Sequence, residues 1–182
     1  LPSEIATLRK IAHEGFLEYC MAVDPTYQPS WFHELLTSIL QRVFERVMRG
    51  EKVRLIIMVP PRHGKSRTAT VLFPSWVLGL APYLPIITSS YSAELAEKFG
   101  SDTRDLMNDE VYRKLFDTRL RIDTAAKGNW MTTRNGTYFA AGVGGGITGR
   151  GFKLGIIDDP FKNRQEADSE VTREMVWNWY NS

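Results

Sequence analysis

Apolar residues recur at helical intervals through the opening of the chain. Ile5, Leu8, Ala12, Phe16 and Tyr19 fall on one helical face, and the segment closes at Asp24-Pro25, where proline and its restricted predecessor end helices. A second amphipathic helix opens at a capping residue, Ser30. It keeps one face apolar through Phe32/Leu35, Leu36/Ile39, Leu40/Val43 and Phe44/Val47 until Gly50 stops it. The period then changes. Val53 to Val59 is a nearly continuous apolar run rich in β-branched residues, which predicts a strand buried on both faces of a parallel sheet, ended by Pro60-Pro61. A loop leads into a helix from about Gly64 to Leu78, then a strand over Ile86 to Ser90 and a helix from Ser92 to Met107. The polar, mixed stretch from Asn108 to Thr133 reads as short strands or a hairpin, and Thr137 to Ala141 as a strand. Six glycines in the ten residues from Gly142 to Gly151 exclude regular structure unless something holds the backbone. Leu154 to Ile157 reads as another buried strand, and a last helix runs from about Ser169 to Tyr180. Strands alternating with helices predict an α/β fold whose mainly parallel sheet is flanked by helices.

Composition narrows the class without naming a function. A chain of 182 residues with 43% hydrophobic, 12% aromatic and 24% charged residues has room for one core, and no segment has the composition of a disordered tail. We read it as a single domain over 1–182, with a helical segment, 1–50, packing on a core formed by 51–182. A net charge of +2 leaves nucleic acid undecided, because a basic footprint is a local patch rather than a bulk excess. The single Cys20 excludes an internal disulfide, and no apolar run approaches the ~18 residues of a membrane span, so a reducing cytoplasm fits. The start at Leu1 and the aromatic cluster Trp177, Trp179 and Tyr180 before Ser182 suggest a piece of a longer protein.

Two clusters carry candidate chemistry. Val59-Pro60-Pro61-Arg62-His63-Gly64-Lys65-Ser66 matches a phosphate-binding loop at its Gly-Lys-Ser end, with Val59 where the first glycine usually stands. It lies between a predicted strand and a predicted helix, so backbone N–H groups and the positive helix end face an anion. On this reading Lys65 reaches the β- and γ-phosphates of ATP and the Ser66 hydroxyl holds Mg²⁺. Arg62 adds a second cation, Pro61, His63, Gly64 and Arg67 complete the wall, and His63 has no catalytic role. A site of this type also needs a carboxylate at a neighbouring strand tip for the metal and an acid beside it to deprotonate water. Asp158 takes the first part and Asp159 the second, with Glu166 as a lesser substitute for the base. The bland alternative for Asp158-Asp159-Pro160 is turn chemistry.

Taken together, Pro60 to Ser66, Thr88-Ser89-Ser90-Tyr91-Ser92, Gly149-Arg150-Gly151-Phe152 and Ile156 to Pro160 resemble the large terminase subunit of tailed bacteriophages. The resemblance runs from about Gln28 onward. It implies a P-loop ATPase domain of the RecA- and helicase-like class with an added catalytic acid, in which glutamate usually stands where this chain has Asp159. It further implies a ring of subunits on the capsid portal that pumps double-stranded DNA with portal and small terminase subunits as partners. Its place is the host cytoplasm at the procapsid portal vertex, absent from the mature virion, with no membrane involved. The family's C-terminal nuclease has no counterpart in these residues. By the same resemblance Tyr27, Gln28 and His33 stand where adenine binds, and Arg150 is the candidate arginine delivered to a neighbouring subunit's site, with Arg62 as runner-up. A surface arginine and a helix entry are the plain alternatives. A helicase or remodelling ATPase is the nearest rival function, followed by a P-loop small-molecule kinase and a module that binds ATP without hydrolysing it.

Overall fold

The computed structural model describes residues 2–147 and 149–181. The opening segment is two helices, not one: α1 (Pro2–Glu14) and α2 (Phe16–Val23) meet at Gly15, whose extended backbone interrupts the run. The amide of Gln41 bridges the break, accepting from Phe16 N at 3.0 Å and donating to Glu14 O at 2.9 Å. The apolar spacing continues across the break, which is why it reads as one helix. α3 (Trp31–Met48) forms as expected, with Ser30 at its cap and Leu36, Thr37 and Leu40 buried.

The expected strand at Val53–Val59 does not form. Residues 51–60 have no regular structure and join no ladder, and Ile56 is 82% and Met58 87% exposed. The β-branched run satisfies local preference, but a strand exists only when another segment takes its N–H and C=O groups. No described segment does so.

Helical structure resumes at Lys65, first as a π-helical turn, Arg67–Leu72, then as α4 (Phe73–Leu80). The remainder follows as β1 (Pro85–Ser90), α5 (Ala93–Asn108), α6 (Glu110–Leu115), β2 (Leu120–Ala125), β3 (Asn129–Thr132), β4 (Thr137–Gly142), β5 (Leu154–Asp158), α7 (Arg164–Asp168) and α8 (Glu170–Tyr180). The mixed stretch thus holds the expected hairpin, β2–β3, preceded by the short helix α6.

The sheet has five strands in the order β2-β3-β4-β1-β5. β1 pairs in parallel with both β4 and β5, whereas β2, β3 and β4 pair antiparallel, so the sheet is mixed rather than mainly parallel. The architecture is α/β, with helices packed on the sheet. β5 lies at an edge, and its alternating exposure replaces the two-sided burial that its apolar sequence predicts.

One core joins the helical segment to the sheet. Phe16, Tyr19 and Cys20 of α2 pack with Phe73, Trp76 and Phe116, and the same cluster continues through Ile86 of β1 and Tyr138 of β4. The Trp76 indole donates to Ala12 O at 2.8 Å, and Tyr19 and Tyr112 both reach Ser75. The polar atoms of Trp76, Tyr19 and Tyr112 are therefore satisfied while their rings supply apolar area. On the opposite face of β4 the Arg150 guanidinium lies 3.8 Å from the ring centre of Phe139. The Trp179 indole of α8 donates to Gly145 O at 3.1 Å and so pins the glycine-rich loop.

Candidate nucleotide site

The parallel strands β4, β1 and β5 end together at Gly142, Ser90 and Asp158, which face one another in register. Sites in open α/β sheets form at such carboxyl ends. Just beyond β5, Asp159 adopts a left-handed conformation at φ 47, and its carbonyl accepts from Tyr91 N at 3.1 Å. That backbone turn directs successive carboxylates into one place.

The loop that closes this unpaired segment supplies the other wall. Arg62 and Gly64 sit at φ 65 and φ 75, a conformation costly for arginine and natural for glycine. A Cβ on Gly64 would also stand 2.9 Å from His33 Nε2, so the imidazole would have to shift to admit it. Residues Val59 to Arg67 and Asp159 line a cleft of about 310 Å³. Pro61, Arg62, His63, Gly64, Lys65, Ser66 and Arg67 therefore sit together, as the sequence suggests. His63 turns back on the loop, its Nδ1 2.9 Å from Pro61 O and 3.2 Å from Pro60 O.

Lys65 joins the two walls. Its Nζ lies 2.8 Å from Asp158 Oδ1 and 2.6 Å from Asp159 Oδ1. Burial alone would lower the amine's pKa, but the bonds to Asp158 and Asp159 outweigh it and hold the group above its ordinary value. Asp158 is buried, with only 6% of its surface exposed, whereas Asp159 is open to solvent. The second oxygen of Asp158 accepts from Thr70 Oγ1 at 3.1 Å, across 88 residues of sequence.

The segment ahead of α3 is tied to the start of the same helix from behind. Arg67 donates twice to Asp24 Oδ2, at 3.2 and 3.0 Å, and Tyr27 OH lies 3.0 Å from Thr68 Oγ1. Burial pushes the Tyr27 hydroxyl up to about 12, against the opposing bond from Thr68. The His33 ring packs edge-on to Tyr27 at 5.4 Å, and Ser30 N donates to its Nδ1 at 3.2 Å. Tyr27 and His33 thus touch the loop and its helix from outside the cleft, and Gln28 is exposed beside them. Arg150 stacks on Phe139 and is not among the residues lining the cleft. Glu166 is engaged elsewhere, its carboxylate accepting from Lys162 N at 2.9 Å near the start of α7.

Asp24, Thr68 and Thr70 escaped the sequence reading. The available signal for Thr70 is its position one helical turn after Ser66, on the same face.

Fold and site define an α/β protein with a helix-opening basic loop set against paired carboxylates at a strand tip. Residues 56–182 match the family described as "Terminase large subunit, T4likevirus-type, N-terminal", and the chain belongs to that family. No curated protein matches the chain, and no solved structure does. Among the described residues no helix is long and apolar enough to cross a membrane.

Proposed function

We propose that this chain is the ATP-hydrolysing domain of a large terminase subunit, a P-loop motor that drives double-stranded DNA into a procapsid. One observation carries the reading: Lys65, at a helix start, meets both carboxylates at the tip of β5, at 2.8 and 2.6 Å. An amine held there by two acids stands where a triphosphate can draw on its charge, with the acids left beside the metal and the water.

The loop N–H groups and Lys65 bind and orient the β- and γ-phosphates. Ser66 and Asp158 offer hard oxygen donors suited to Mg²⁺, which supplies neutralisation of phosphate charge when bound. Among the described residues no group of three or more His, Cys, Asp or Glu could hold a metal by itself. A cation that accompanies a triphosphate is held largely through phosphate and water rather than in a protein cage. Asp159, more open than Asp158, takes the proton from the attacking water. Arg62 adds charge at the loop, and Arg150 is the arginine offered to a neighbouring subunit. Its stacking on Phe139 is worth about 0.5–1 kcal/mol at an exposed position, less than a charge-assisted bond to phosphate, so the contact does not hold it back. Tyr27, Gln28 and His33 border the adenine side. The partners are double-stranded DNA, the portal protein and the small terminase subunit. The assembly is a homo-oligomeric ring at the procapsid portal in the host cytoplasm.

The test is nucleotide affinity by fluorescence titration together with turnover. Lys65→Ala weakens ATP binding by roughly 10- to 100-fold, the loss of one charge-assisted bond to phosphate. Asp159→Asn keeps binding and loses hydrolysis. Near-normal affinity in Lys65→Ala would mean that the loop is a structural turn, and the reading would fall.

A further inference from the structure

Buried threonines in helices ordinarily bond back to their own backbone. Two here do so: Thr37 Oγ1 donates to His33 O at 2.8 Å, and Thr103 Oγ1 donates to Phe99 O at 2.8 Å. The two buried threonines of the π-helical turn behave otherwise. Thr68 Oγ1 meets Tyr27 OH at 3.0 Å, and Thr70 Oγ1 donates to Asp158 Oδ2 at 3.1 Å. The wider turn, in which Phe73 N reaches Thr68 O, takes these hydroxyls out of line with the preceding carbonyls and turns them outward.

Asp158 therefore has unequal oxygens. Oδ2 is held by Thr70, a residue only 1% exposed and fixed by the packing around it. Oδ1 faces Lys65 at the cleft. We propose that Thr70 is a positioning residue for the metal: by holding Oδ2 it fixes the Asp158 carboxylate so that Oδ1 alone is presented to the cation that accompanies the nucleotide. This rests on the reading of the cleft as an ATP and Mg²⁺ site. Thr70 touches neither nucleotide nor metal and acts through Asp158. Partners of metal ligands of this kind alter metal affinity by roughly 10- to 100-fold when removed.

The experiment uses the full chain with Mn²⁺ as the probe. Free Mn²⁺ is followed by electron paramagnetic resonance beside a saturating non-hydrolysable ATP analogue, and analogue affinity is measured separately in EDTA. Thr70→Val, which keeps the shape and removes the hydroxyl, lowers Mn²⁺ affinity about tenfold or more, with analogue affinity in EDTA unchanged and unfolding in urea still a single cooperative transition. Thr70→Ser restores binding to within about threefold of wild type on the same scale. If Thr70→Val binds Mn²⁺ like wild type while Asp158→Asn loses it, the positioning role is wrong and the nucleotide site stands. If Thr70→Ser is as weak as Thr70→Val, the hydroxyl by itself does not set Mn²⁺ affinity and the proposal is likewise overturned. A wild-type chain that binds neither analogue nor Mn²⁺ overturns both readings together.

Discussion

Asp24 ties the helical segment to the candidate loop through a single side chain. Partial burial by itself would raise its pKa, but bonds from Thr26 and Arg67 outweigh this and hold the carboxyl below its usual value. A depressed pKa in the folded state contributes stability above the ordinary carboxylate range, lost as pH falls through the folded value. The stability difference between wild type and Asp24→Asn is therefore constant from neutral pH down to about pH 5 and shrinks below about pH 4. Arg67 is 41% exposed, so solvent screening limits the plateau to about 1 kcal/mol. Urea midpoints of both proteins across that range decide it, and a difference that grows on acidification would rule the assignment out. Asp24 also shows the limit of reading sites from sequence. Lys65, Asp158 and Asp159 were legible because each sits at the end of a recognisable element. Asp24, Thr68 and Thr70 act through contacts 41 to 88 residues away, which no local pattern encodes.

At the scale of elements, what the sequence announces depends on how local the cause is. α3, α5 and β1 lie within a residue or two of expectation, because periodicity and the caps Ser30 and Ser92 define them. Gly15 breaks a helix whose spacing continues across it, and α6 is too short for its period to register. Gly100 is legible only in retrospect. A glycine inside a helix costs about 1 kcal/mol against alanine, so its presence in α5 asks for a reason. The reason is contact: a Cβ there would stand 2.7 Å from Lys127 O and 3.1 Å from the Tyr138 ring, while Gly100 O accepts from the Trp130 indole at 3.1 Å. Backbone cannot yield as a side chain can. Gly100→Ala consequently destabilises the fold by about 1–3 kcal/mol, despite its better helix propensity. Thermal unfolding measures it, and a raised melting temperature would show that α5 has slack against the β2–β3 hairpin.

For the molecule as a whole, pairing between strands was the least legible property. Sequence gives strand preference, but order and partners arise from which segments meet, and so the sheet is mixed and residues 51–60 stand outside it. That arrangement bears on how the chain behaves in concentrated solution. The free edge of β5 and the apolar, unladdered run at Leu55, Ile56 and Met58 are both templates that a second molecule can extend. Such edges invite open-ended stacking of chain on chain, and beyond Arg54 neither a proline nor a charge interrupts the run as far as Val59. Light scattering of the isolated chain should then rise with time and concentration, accompanied by thioflavin fluorescence. Ile56→Lys with Met58→Lys should suppress both, since these side chains are already in water and fold stability changes by no more than about 0.5 kcal/mol. Equal scattering from the doubly substituted chain would place the sticky surface elsewhere. Otherwise, the same unclaimed hydrogen bonds that leave this stretch out of the sheet set the shelf life of the purified protein.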